Sequence, residues 1–140
     1  EEIATDYRKA QALLRNHGIM SETLTFVGDS SNVEKCVEAC RRVYRYGLKA
    51  GTNKTNYKAT INPYGLDRWN IPPNTELQTL KDKIDSLISN GTGWMIWMIH
   101  TSDGTFQQSF ADVLSEAIDY AISQGLEIGN IEYGTRIYCE

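Results

Sequence analysis

Apolar residues recur along this chain at two different spacings, and the two spacings mark out its elements. From about Glu2 to Asn16, the residues Ile3, Tyr7, Ala10, Leu13 and Leu14 fall on one stripe of period 3.6, which predicts a helix stopped by Gly18. A second helix is predicted after Ser31, with Ser31 and Glu34 as a capping box, an apolar face of Val33, Cys36, Val37, Cys40 and Val43, and Gly47 as its end. A third runs from about Thr75 to Ser89 with Leu77, Leu80, Ile84, Leu87 and Ile88 inward. A fourth runs from about Phe106 to Ser123 through Phe110, Val113, Leu114, Ala117, Ile118, Ala121 and Ile122, capped by Gly125. Shorter β-rich runs lie between these stripes: Thr23 to Val27, Leu48 to Thr52, Trp94 to Ile99, and Leu126 to Ile128. Arg136-Ile137-Tyr138 extends the last strand or forms a short return strand. Asn53 to Asn74 reads as a long loop punctuated by Pro63, Gly65, Pro72 and Pro73, with room for a strand near Ala59 to Asn62 or Trp69 to Ile71. This alternation predicts an α/β fold, with βα units around a parallel sheet in a single domain spanning residues 1–140.

The run Trp94-Met95-Ile96-Trp97-Met98-Ile99 is the densest apolar segment. It ends in His100 and is followed by Thr101-Ser102-Asp103-Gly104. So short and unbroken a run predicts a strand buried on both faces, as in parallel sheets covered by helices. Functional groups in such sheets sit at the carboxyl ends of the strands. His100 is there either as a catalytic or ligand-touching side chain, or as a structural histidine bonded to a loop carbonyl.

Composition narrows the function classes. The formal net charge of −4 offers no basic field for nucleic acid or for an anionic membrane surface. No apolar run approaches the roughly 20 residues that span a bilayer. The chain opens on Glu1-Glu2 with neither Met nor a signal peptide, as a processed or excised segment would. Its three cysteines form no disulfide framework, and Cys36 and Cys40 share the buried face of a helix as small core residues. There is no Gly-rich phosphate loop, no Gly-x-Ser-x-Gly elbow and no pair of histidines at metal spacing. Asp29-Ser30-Ser31, at a strand-to-helix junction, is either a helix cap or a ligand contact. The long loop carries Tyr57, Tyr64, Arg68 and Trp69. These aromatics either stack on sugar rings or form a lid on the core, and Arg68 is a ligand contact or an ion-pair partner.

The segment Asn90 to His100, then Phe110, Leu114 and Ala117-Ile118-Asp119-Tyr120-Ala121, then Gly125-Leu126-Glu127-Ile128, resembles the C-terminal part of polysaccharide deacetylases, the NodB-type domains of carbohydrate esterase family 4. Met98-Ile99-His100 stands where that family has Leu-x-His. Tyr64-Gly65-Leu66-Asp67-Arg68-Trp69-Asn70-Ile71 resembles its Tyr-x-Leu-x-Arg loop. Thr25 to Asn32 sits where it has a strand and turn before a helix, with Phe26-Val27-Gly28 in place of its Arg-x-Pro element.

The resemblance implies the second half of a distorted (β/α) barrel acting on N-acetylated glycans. His100 would be the acid that protonates the leaving amine, and Tyr64, Arg68, Trp69, Asp29, Ser102 and Asp103 would be substrate contacts. The family's Asp-Asp pair and His-x-x-x-His metal ligands have no counterpart in this chain. It therefore implies no cofactor in this chain itself: a divalent metal such as zinc enters only if a preceding segment supplies the ligands. The chain alone would be inactive, because deacetylation needs a metal-bound water and a base as well as an acid. The alternative is a non-catalytic glycan-binding or structural module of a phage tail or surface protein. The implied partner is a polysaccharide or peptidoglycan-type glycan, and the implied location is extracellular, at a cell surface or on a virion. The open edge of half a barrel invites self-association or a completing chain segment.

Overall fold

The computed structural model describes residues 1–100 and 107–140, with the backbone alone at Asp29. Five α-helices, α1 (Glu2–Asn16), α2 (Glu34–Arg41), α3 (Leu77–Ser89), α4 (Gln108–Ser123) and α5 (Ile131–Tyr138), combine with six short strands: β1 (Thr23–Thr25), β2 (Tyr46–Gly51), β3 (Asn56–Tyr57), β4 (Leu66–Asn70), β5 (Gly93–Trp94) and β6 (Trp97–Met98). A four-stranded sheet runs in the order β1-β2-β4-β6 with every pairing parallel. Each new strand joins on the same side, so the order never reverses, as in half of a βα barrel. β3 and β5 form a separate antiparallel pair.

The parallel sheet follows from the chain's own spacing. α2 links β1 to β2 and α3 links β4 to β6, and each helix lays an apolar stripe on the same side of the sheet. Ile71, Leu80, Ile84, Phe110, Leu114, Ala117 and Ala121 form one core there, with Trp69, Trp97 and Ile99 against it. Phe26, Cys40 and Tyr44 form a second core with Leu24, Val37 and Tyr64. Gly47 faces this second core, where a Cβ would stand 2.6 Å from the Phe26 ring. The opposite side of the sheet carries Tyr46, Leu48, Leu66 and Ile96, covered by Ile131 and Cys139 at the two ends of α5 and by Ile61.

Several expectations are corrected. The run Trp94 to Ile99 is not one strand buried on both faces; it divides into β5 and β6, and only Ile96 within it is buried. Trp94 pairs with Asn56 and stacks on Tyr138 at 5.8 Å, whereas Trp97 pairs with Trp69, so the two tryptophans belong to different sheets. Leu126 to Ile128 forms no strand, and residues 136–138 belong to α5. Asn130 caps that helix by accepting from the Tyr133 N–H at 2.8 Å. A three-residue segment does not distinguish a strand from one helical turn, and the Asn130 cap settles it. The Ser31–Glu34 capping box does not form: Gly28–Asn32 is a 3₁₀ turn and Val33 stands at the N-cap of α2. Gly47 does not end a helix but lies inside β2. No strand forms at Ala59 to Asn62, and the Trp69 to Ile71 expectation overlaps β4. On α1 the buried stripe is shifted: Leu13 is exposed, and Gln11 is buried because its amide donates to the carbonyls of Ser21 and Val43, both at 3.3 Å. Gly18 and Gly125 follow their helices at φ +76° and +82°, as expected of helix-ending glycines.

Burial pushes the Cys40 thiol up to about 11, from an ordinary value of 9.0. Cys40 should therefore resist iodoacetamide at pH 8 in the folded chain, while the half-buried Cys36 and Cys139 label first, as read by peptide mass spectrometry. Because the folded value lies above the unfolded one, this group's contribution to stability is complete below pH 9.0 and fades as pH rises toward 11.

Candidate functional site at the carboxyl ends of the strands

Successive residues of a strand point to opposite faces, so the two cores identify the face of each position. On β4, Leu66 faces α5 and Trp69 faces α3 and α4, which places Arg68 and Asn70 on the α5 side. On the last strand Ile96 faces α5 while Trp97 and Ile99 face the helices, so Met98 and His100 fall on the α5 side as well. The register Asn70↔Met98 agrees. A Cβ at Gly51 would lie 2.7 Å from Met98 Cε and 3.0 Å from Asn70 Cβ, so Gly51 shares this face and its missing side chain lets the other two converge.

The α5 face is thus graded along the strands. Its amino half is apolar and plugged by α5; its carboxyl half carries Gly51, Arg68, Asn70, Met98 and then His100. Arg68 is level with Ile96, since the next backbone N–H, that of Trp69, donates to the Ile96 carbonyl at 2.7 Å. Four residues of chain therefore separate the Arg68 level from His100, and of these only Trp97 and Met98 belong to β6. That span suits a ligand that reaches along the face rather than two groups acting on one atom.

Arg68 is only 9% exposed. Its Nε donates to the Lys49 carbonyl, and burial pushes its pKa down. The rim beside it is fixed by Asn53, a non-glycine residue at φ +56°, a conformation that Asn tolerates. The N–H groups of Thr52 and Asn53 both donate to the Arg68 carbonyl at 2.9 Å, and the Asn53 side chain accepts from the Asn70 N–H at 2.9 Å. His100 is exposed, immediately beyond Ile99.

The structure brings only some of the expected site residues together. Arg68 and His100 share one face, and Asp29 lies in the 3₁₀ turn at the carboxyl end of β1, the same end of the sheet. Trp69 lies on the opposite face. Its indole Nε1 is buried with no hydrogen-bond partner among the described residues, and Lys83 Nζ from α3 stands 3.7 Å from the ring centroid. It lines a cleft of about 280 Å³ with Thr55, Asp82, Ser86 and Met95. Tyr64 is at the amino end of β4, against the Phe26 core with Arg41 5.4 Å from its ring centroid. Ser102 and Asp103 lie outside the described residues. A larger cleft of about 430 Å³ also opens at the amino end, where Arg45 pairs with Glu22 at 3.3 Å and Glu140 at 2.7 Å, and Tyr46 donates to Glu140 at 2.9 Å. Those charges fasten the end of α5 to the sheet.

Sequence reading missed Asn53, Asn70 and Met98. Asn53 had a signal, since Gly51-Thr52-Asn53 ends a strand candidate with a residue that tolerates positive φ. Asn70 and Met98 had none without the register. Among the described residues, no group of three His, Cys, Asp or Glu could hold a metal ion, and no helix is long and apolar enough to cross a membrane. No family model, curated protein or solved structure matches this chain.

Proposed function

We propose that this chain is part of a polysaccharide deacetylase-like protein directed at N-acetylated cell-surface glycans, and that the carboxyl half of the α5 face is its recognition surface. The observation that carries the reading is the grading of that face. The residues that fill the sheet interior end at Leu66 and Ile96, and the polar positions Arg68, Asn70 and His100 begin where ligands bind in parallel sheets. His100 is the candidate acid for a leaving amine. The metal and base of a deacetylase would come from another segment, and this chain alone binds without turning over. The source of such a glycan is peptidoglycan or a related surface polysaccharide, which places the protein outside the cell or on a virion.

A specific observation favours the second reading, a non-catalytic glycan-binding module of a phage tail or surface protein. α5 already covers the face that further barrel strands would fill, so a completing half would have to displace it. Self-association through the edges of β1 and β6, which no strand among the described residues pairs, belongs to either reading.

The longer native protein is incubated with zinc and N-acetylglucosamine oligomers or peptidoglycan. Acetate release, lost in His100→Ala, supports the enzyme; retained glycan binding with no acetate supports the module; neither binding nor release contradicts both. Because His100 is exposed, His100→Ala should leave the unfolding free energy from urea denaturation within about 0.5 kcal/mol of the parent.

A further inference from the structure

Arg68 is a buried cation without an anion. Its Nε is satisfied by the Lys49 carbonyl, but among the described residues no carboxylate lies within ion-pair distance of the guanidinium, and no other hydrogen bond or ring contact engages it. The adjacent acid is committed elsewhere. Asp67 points to the opposite face of β4, where it accepts from the Thr52 hydroxyl at 2.7 Å and pairs with Lys49 Nζ at 3.7 Å. The neighbours of Arg68 on its own face are Leu66, Asn70, Gly51, Ile96 and Met98, and none carries charge.

Burying a charge is costly unless it is paired, and folded proteins rarely leave one so. A guanidinium with Nε engaged still presents its terminal N–H groups as a planar fork that fits a carboxylate in two parallel bonds. The fork lies on the face assigned above to glycan recognition, below the rim made by Asn53 and Asn70.

We propose that Arg68 receives a carboxylate carried by the bound saccharide, so that the surface selects acidic N-acetylated sugars over neutral ones. This rests on the glycan reading and adds its substrate class. A single buried cation matches a monoanion better than a phosphate dianion. The small exposure of Arg68 admits one compact group at its tip and not the flank of a sulfated polymer. N-acetylmuramate and N-acetylglucosamine test this well, because they differ only by a lactyl carboxylate.

The whole chain, labelled with ¹⁵N, is titrated with each sugar, with inorganic phosphate and with acetate, and the Arg68 Nε and Nη resonances are followed. N-acetylmuramate is expected to bind at least tenfold tighter than N-acetylglucosamine and to shift those resonances. Arg68→Met should erase the preference, and Arg68→Lys should keep part of it. The shift in the parent chain decides the case even where the Met variant fails to fold. Equal binding of both sugars with Arg68 unshifted overturns the carboxylate assignment and leaves the glycan reading standing. Phosphate binding tighter than either sugar also overturns the assignment. An Arg68 shift with acetate but with no saccharide overturns the glycan reading, and with it the sugar as the source of the carboxylate.

Discussion

Asn56→Leu lowers the unfolding free energy by roughly 3–5 kcal/mol, the largest effect expected of any polar substitution in this chain. Asn56 is 4% exposed and makes three hydrogen bonds to main-chain groups. Its amide donates to the Asp67 carbonyl at 2.9 Å and to the Trp94 carbonyl at 3.3 Å, and its carbonyl accepts from the Asp67 N–H at 2.8 Å. The side chain thereby replaces a missing strand. β6 pairs with β4 at Trp69 and Asn70, so among the described residues Asp67 has no strand partner on that side. Leucine shares the branching of asparagine but is larger, so it opens no cavity, and it strands three main-chain polar groups at about 1–3 kcal/mol each, less what water recovers. Urea denaturation checks this: the midpoint should fall with an unchanged slope. A loss below about 1 kcal/mol would mean that water already reaches the junction.

Gly134→Val detaches α5. A Cβ at position 134 would stand 2.2 Å from the Trp94 indole, far inside contact distance, and that indole is already stacked on Tyr138 at 5.8 Å. α5 is otherwise held by Ile131 and Cys139 packed on the sheet, by the Tyr138 hydroxyl donating to the Gly93 carbonyl at 2.8 Å, by Lys58 on the Ile137 carbonyl at 2.9 Å, and by the Arg45–Glu140 pair. The last two are exposed and contribute little. Overpacking of this kind costs roughly 1–3 kcal/mol. The expected readouts are a lower thermal midpoint, a changed near-ultraviolet tryptophan signal, and new binding of a hydrophobic dye to the uncovered Leu48, Leu66 and Ile96. An unaltered tryptophan signal would show that α5 does not depend on this contact.

The helices were legible in the sequence because each repeats its apolar spacing over several turns: Leu80, Ile84 and Leu87 of α3 and Phe110, Leu114, Ala117 and Ala121 of α4 are buried as their periodicity predicts. The parallel sheet followed from their alternation with β-rich runs. The short elements were not legible. Ile131 to Tyr138 carries too few turns for periodicity to separate helix from strand, and Gly134, which reads as a breaker, is retained because only glycine fits against Trp94. The tryptophan-rich run was misread as one strand because hydrophobicity alone cannot show that Trp94 and Trp97 serve different sheets.

The candidate site was legible in part. A strand ending in His100 pointed to the carboxyl rim, and Arg68 was singled out within its loop. Which aromatic residues share a face with them was not legible, because a shift of one residue in register reverses the face of every side chain. Trp69 and Tyr64 are adjacent to the site in sequence, yet one lies behind the sheet and the other at its far end.

The glycan-recognition claim is tested most directly by mapping where a chitin tetrasaccharide perturbs the backbone amide spectrum of the ¹⁵N-labelled chain. The account predicts saturable shifts at Asn53, Asn70, Met98, Ile99 and His100, with Tyr64, Arg45 and Glu140 unmoved. Shifts confined to the amino-end cleft around Arg45 and Glu140, or no saturable shift at millimolar sugar, would contradict it.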